Sequence, residues 1–226
     1  MAFNIAIDGP AGAGKSTIAR ALAKRLEFIY VDTGAMYRAM ALYLLRKGIS
    51  AEDEGGMEAA CRDADISLRY ENGVQQVILN GEDVSALIRS EEVGNMASAS
   101  AKNGKIREKL VQLQRELAQK ADVVMDGRDI GTCVLPNADV KIYLTASTHT
   151  RAVRRYKEYL EKGQEAVLEQ IEEDIRQRDY QDMNREISPL RQAEDARLLD
   201  SSDMDIDQVL NAMMSICQEK REQEGL

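Results

Sequence analysis

Short apolar runs alternate with amphipathic stretches along most of the chain. Phe3-Asn4-Ile5-Ala6-Ile7-Asp8 reads as a buried strand. Residues 16–26 follow as a helix, with Ile18, Leu22 and Leu26 forming a stripe at spacing four. Phe28-Ile29-Tyr30-Val31 is a second strand ending at Asp32, after which Thr33 is expected to cap a helix that Gly48 stops. Three more apolar runs look like strands: Asp122-Val123-Val124-Met125-Asp126, Val140-Lys141-Ile142-Tyr143-Leu144 and Ala196-Arg197-Leu198-Leu199-Asp200. Strands separated by helical patterns predict an α/β fold, a five-stranded parallel sheet with helices on both faces. Ligands of such sheets bind beyond the carboxyl ends of the strands, where Asp32, Asp126 and the loop after the first strand are expected to meet.

Two regions break this rhythm. Between residues 64 and 90, Ile66-Ser67-Leu68-Arg69-Tyr70 and Val74-Gln75-Gln76-Val77-Ile78-Leu79 flank Asn72-Gly73, and Asn80-Gly81 follows. Asn-Gly between β-rich runs is a hairpin signal, so this segment is expected to be a small antiparallel insert. Between 147 and 191, Ser147 begins a helix that carries Arg151, Arg154 and Arg155 and ends at Gly163. A second helix with Val167, Leu168, Ile171 and Ile175 on its apolar stripe runs until Ser188-Pro189 breaks it. A last helix, about 205–222, carries Ile206, Val209, Leu210, Met213 and Cys217 for packing. Nothing repeats, and 226 residues suit one domain with an insert.

Composition narrows the classes. With 44% hydrophobic and 31% charged residues the chain is that of a globular protein, and no apolar run reaches the length of a membrane span. The net charge of −9 argues against nucleic acid as a partner, which would call for a basic face. The first strand begins too near Met1 to leave room for a signal peptide, and Cys61, Cys133 and Cys217 stand in no metal-ligand spacing. Free thiols and a cytoplasmic location are therefore expected; the chain is separately taken as a monomer. His149 is the sole histidine and sits near a helix start, where an exposed side chain is expected, which argues against a histidine triad or a histidine metal site.

The strongest signal is Gly9-Pro10-Ala11-Gly12-Ala13-Gly14-Lys15-Ser16-Thr17, set between the first strand and first helix. Glycine, four residues, then Gly-Lys-Ser/Thr is the pattern of a loop whose amides, with the helix N-terminus, hold phosphate. Lys15 is the side chain for the β- and γ-phosphates, and the Ser16 hydroxyl the one for Mg²⁺. Asp126, ending an apolar strand, matches the second, magnesium-associated carboxylate of such proteins. Gly127 rather than Glu follows it, which counts against water activation, and no Asn-Lys-x-Asp marks guanine. Both absences favour a small-molecule kinase over a hydrolytic motor or switch.

Arginines accompany the strand ends. Arg38 lies one turn into the second helix, and Arg128 directly follows the third strand in Asp126-Gly127-Arg128-Asp129. Arg178, Asp182 and Arg185 are spaced to share one helix face. Single helix arginines are ordinarily solvated. Arg128, at the end of a buried strand beside a phosphate loop, is poorly explained that way and is read as functional.

The phosphate loop with its preceding Ile7-Asp8 joins three further blocks: Asp32-Thr33-Gly34-Ala35-Met36-Tyr37-Arg38, Asp126-Gly127-Arg128-Asp129-Ile130-Gly131-Thr132 and Arg178-Asp179-Tyr180-Gln181-Asp182-Met183-Asn184-Arg185. In that order, and with the hairpin insert, they resemble the bacterial cytidylate kinases, nucleoside monophosphate kinases of the P-loop NTPase type, over essentially the whole chain. The resemblance implies phosphoryl transfer from ATP to CMP and dCMP with Mg²⁺. It implies a monophosphate-binding insert at about 60–95 and a helical lid at about 150–190, within one domain. It assigns Thr33 and Arg38 to the monophosphate, and Ser98 and Arg107 with Asp129 to the cytosine edge. Arg178 and Asp182 go to the ribose, and Arg185 nearer the phosphate. Lys15 and Arg128, with lid arginines such as Arg154 or Arg155, neutralise the transferred group, while Mg²⁺ rests on Ser16 with Asp126 behind it through water. Kinases for uridylate, adenylate or a coenzyme precursor share much of this pattern, and residues 92–107 are where they would differ.

Overall fold

The structure is a computed structural model and describes residues 2–71 and 74–224. Among the described residues, the eight strands and eight α-helices are β1 (Asn4–Asp8), α1 (Lys15–Leu26), β2 (Ile29–Asp32), α2 (Thr33–Arg46), α3 (Glu54–Asp63), β3 (Ile66–Glu71), β4 (Val74–Leu79), β5 (Glu82–Asp83), α4 (Glu91–Ser100), α5 (Gly104–Lys120), β6 (Val123–Gly127), β7 (Val140–Thr145), α6 (Thr148–Glu161), α7 (Leu168–Asn184), β8 (Arg197–Asp200) and α8 (Ile206–Glu224). The five runs expected to be strands form one parallel sheet in the order β2-β6-β1-β7-β8. β1 is central, with Ile5 opposite Val124 on one side and Val140 on the other. Ile5 and Ile7 are fully buried, as the continuous apolar run requires of a strand covered on both faces. The chain runs from β1 to β2 at one edge and later crosses from β6 to β7 on the other side of β1, so the strand order reverses at β1, from whose carboxyl end the glycine loop begins.

The chain divides into two compact units, one of Ile29–Asp122 and one of Phe3–Phe28 with the residues from Val123 onward. In the first, α2, α3, α4 and α5 bury Met36, Met40, Leu44, Ile88, Ile106 and Leu110 with the apolar face of the hairpin. The hairpin is antiparallel, Ile66 opposite Leu79, and the short β5 adds a third strand to it. Its expected turn at Asn72-Gly73 lies outside the described residues. In the second unit, α6 and α7 pair through a small core of Ala152, Ile171 and Ile175. Ser147 caps α6 by accepting from the Thr150 amide, and Gly163, at a φ of 69°, follows its end as expected.

Two local expectations need correction. Asp32, not Thr33, caps α2: its carboxylate accepts from the Ala35 amide at 2.9 Å, and Thr33 is the first helical residue. Either side chain suits a cap, but the carboxylate also complements the helix dipole. Arg185 does not share a face of α7 with Arg178 and Asp182, because the helix ends at Asn184 and Arg185 is already extended, with ψ at 143°.

Candidate active site

The site is built outward from the end of β1. Gly9 adopts a φ of 151°, and a Cβ placed there would stand 1.9 Å from the Leu144 carbonyl oxygen of β7. The loop can therefore leave the sheet at this point only without a side chain. Gly12 and Gly14 follow at φ values of 75° and 84°, turning the backbone into the first turn of α1. We expect Gly9→Ala to cost about 3 kcal/mol or more of stability, since the backbone contact cannot relax as a flexible side chain could. A thermal midpoint within a few degrees of the parent would contradict that account.

Lys15 opens α1 and is 6% exposed. Its ammonium donates to the Pro10 carbonyl at 2.7 Å. Burial, followed by the Arg128 guanidinium, holds its pKa well below the usual lysine range, so the site favours an added negative charge. Ser16, next in sequence, donates its hydroxyl proton to the Asp126 carboxylate at 2.9 Å. This pair, at the end of β6 beside the loop, has the hard oxygen donors that fit a magnesium ion completing its shell from phosphate and water.

Asp8 ties the loop to the turn after β6. Its two carboxylate oxygens accept from the amides of Ile130 and Gly131, each at 2.7 Å. A single π-helical turn, Ile130–Val134, begins there. Burial pushes the Asp8 carboxyl up to about 6; the two amides and Lys15 oppose this, and Asp129 adds to it. A folded-state value above the unfolded one makes the native protein hold a proton that the unfolded chain has released. Asp8 therefore contributes stability below about pH 4, and that contribution is lost as pH rises through about 6. The difference is on the order of 3 kcal/mol. We expect urea midpoints of the parent to fall relative to those of Asp8→Asn between pH 4.5 and 7.5. Parallel curves for the two proteins would contradict the assignment.

From this turn, Arg128 and Asp129 reach the C-terminal end of α7. Arg128 Nε donates to Asp182 Oδ2 at 2.9 Å. Arg185 Nη2 donates to the buried Asp129 at 3.4 Å, and its Nε donates to the Ser188 carbonyl at 2.6 Å. Arg178 lies half-buried on α7 one turn before Asp182. Five of the expected residues, Arg128, Asp129, Arg178, Asp182 and Arg185, are thus gathered on one turn and one helix end of the same unit. Arg154 and Arg155 are engaged elsewhere: Arg154 donates to the Ser201 hydroxyl and carbonyl, and Arg155 lies over the Tyr159 ring while donating to its hydroxyl.

The remaining expected residues belong to the other unit. Thr33 is buried at the start of α2, and Arg38 lies on the same helix with Nη1 donating to the Ile88 carbonyl at 3.3 Å. A Cβ at Gly94 of α4 would stand 3.1 Å from that Nη1, so the helices approach closely where the guanidinium passes. Ser98 is one turn further along α4 and half-buried. Arg107 of α5 is 4% exposed, with its guanidinium 5.8 Å from the centre of the Tyr37 ring, next in sequence to Arg38. The four residues thus sit on three helices that pack around one core.

The sequence reading passed over two residues of the site. Asp8 carries the signal used for Asp32 and Asp126, a carboxylate ending an apolar strand, and was legible by it. Arg151, buried against the loop, carries no local signal, because the partners that set it apart, Ala11 and Asp179, are distant in sequence.

The family model described as cytidylate kinase matches residues 5–219. A curated cytidylate kinase from Bacillus cereus is 48% identical over 214 residues, covering 95% of this chain and 95% of that protein. One from Caldicellulosiruptor bescii shows the same identity and coverage. Among solved structures, a gluconokinase from Sinorhizobium meliloti superposes with a TM-score of 0.51 at 11% identity, covering 98% of this chain and 95% of that one, a likeness of fold alone.

Proposed function

The chain belongs to the cytidylate kinase family, and from that premise we propose that it transfers the γ-phosphoryl group of ATP to CMP, giving ADP and CDP, with dCMP as a second acceptor. The observation that carries the reading is the double grip of Asp8. One carboxylate at the root of the phosphate loop also holds the turn that bears Arg128 and Asp129, so the group that binds the donor and the groups assigned to the acceptor share one rigid support.

The nucleophile is a phosphate oxygen of CMP. Its second pKa lies near 6, so at neutral pH it is mostly dianionic and needs no general base. The obstacle is charge, since two polyanions must be brought in line. Residues 9–17 cradle the donor phosphates with backbone amides, and Lys15 adds its charge. A polyphosphate supplies the opposite charge that holds the buried ammonium protonated. Ser16, backed by Asp126, would hold Mg²⁺, which neutralises charge on the phosphate oxygens when bound. Arg128 is the cation for the transferring group. In the unit that holds the loop, Asp129, Arg178, Asp182 and Arg185 are the residues read as serving CMP; in the other unit, taken by itself, Thr33, Arg38, Ser98 and Arg107 are those read as serving its phosphate and base. A serine hydroxyl and a guanidinium suit the donor and acceptors of the cytosine edge.

The segment at about 60–95 is the monophosphate-binding insert of this reading, and that at about 150–190 the lid. Closure of the lid excludes water and so limits hydrolysis of ATP. Arg154 and Arg155 would serve the transfer only after leaving Ser201 and Tyr159. The enzyme is read as a cytoplasmic monomer acting on free nucleotides. Phosphorus NMR of the protein with ATP, CMP and Mg²⁺ tests the reaction: ADP and CDP resonances should grow in equal amounts. Growth of inorganic phosphate in place of CDP would reject the reading.

A further inference from the structure

Arg151, in the first turn of α6, is 3% exposed and has a partner for every N–H direction of its guanidinium. Nε donates to the Ala146 carbonyl at 2.9 Å. Nη1 donates to the Ala11 carbonyl of the phosphate loop at 2.9 Å and to Asp179 Oδ1 at 3.1 Å. Nη2 donates to Asp179 Oδ2 at 2.6 Å and to the Thr148 hydroxyl at 3.2 Å. The fork thus joins the loop, the end of β7, α6 and α7.

The contact with Ala11 bears on phosphate binding. A peptide unit is planar and trans, so fixing the Ala11 oxygen also fixes the opposed N–H of Gly12. Gly12 has a φ of 75° and no side chain, so the peptide before it can turn over at little cost. Turned over, it would present a carbonyl oxygen where the loop needs an amide hydrogen. Arg151 holds the oxygen outward, and its own Cβ would be only 3.4 Å from a Cβ at Gly12, so its aliphatic stem packs on the same peptide. Asp179 in turn fixes the guanidinium with two charge-assisted bonds.

We propose that Arg151, set by Asp179, is a positioning residue for the donor phosphate: it locks the Ala11–Gly12 peptide with its amide free for ATP. The proposal rests on the reading of residues 9–17 as the ATP loop. Lysine at this position keeps the charge but cannot span Ala146, Ala11 and both Asp179 oxygens at once. We expect Arg151→Lys to raise the KM for ATP and the Kd for ADP by about tenfold or more, while the KM for CMP stays within about twofold. Asp179→Asn should shift the same constants in the same direction by less, since the Ala11 contact remains. A merely structural role would lower the thermal midpoint and the active fraction with both KM values unchanged; that result, or failure of both variants to fold, overturns the proposal. Parent protein that binds ADP but leaves CMP unphosphorylated would count against the function while leaving the positioning role measurable through the Kd for ADP.

Discussion

Lys15→Ala should lower kcat for CMP phosphorylation by about 10²-fold or more, and leave the fold in place. The ammonium is buried, costly to desolvate and pressed by Arg128, with the Pro10 carbonyl as its near partner. Its removal therefore relieves as much as it takes from the ligand-free protein, and the thermal midpoint should hold or rise. What is lost is the charge that meets the polyphosphate in a low-dielectric site, where it is worth most. The variant should also push the Asp8 carboxyl further upward, because Lys15 now pulls it down. Steady-state kinetics with a thermal melt checks both halves. Near-parent turnover in a folded Lys15→Ala protein would remove the loop lysine from the mechanism.

Arg128→Ala is expected to cost a similar factor in kcat, about 10²-fold, but with a structural signature of its own. Arg128 is paired with Asp182 while lying beside the loop, so its loss leaves a carboxylate facing the site without its cation. That should weaken CMP as well as slow transfer, and raise the KM for CMP more than that for ATP. Asp182→Asn keeps the arginine, so it should spare kcat by comparison. Equal losses in the two variants would mean that the ion pair serves the fold and not the transfer.

Much of this was legible along the chain because the evidence was local. Ile5, Val124 and Ile142 sit in short, largely apolar runs of strand length, as strands buried on both faces have, and all three lie in the parallel sheet. Gly9 to Ser16 is a motif whose spacing is set by the shape of a phosphate. Ser147 and Gly163 mark the ends of α6 with their own side-chain and backbone chemistry. What escaped was of another kind. β5 is two acidic residues, Glu82 and Asp83, held in the small sheet by pairing with Ile78 and Leu79 and by no pattern of their own. Asp32 and Thr33 are both good caps, and the choice between them is made by where the strand releases the chain. The helix face drawn through Arg178, Asp182 and Arg185 assumed one more residue of helix than α7 has. Arg151 could not have been separated from Arg154 and Arg155, because burial, Asp179 and the Ala11 carbonyl distinguish it only in three dimensions.

In the proposed reaction the loop lysine and the arginine turn act together on ATP and a cytosine monophosphate. Rates of ADP release across CMP, dCMP, UMP, AMP and GMP, with ATP and Mg²⁺ held constant and a control lacking any acceptor, test it most directly. CMP should give the highest kcat/KM, dCMP should also turn over, and the control should be negligible. Preference for another base, or ADP release that does not depend on an acceptor, would contradict that reaction.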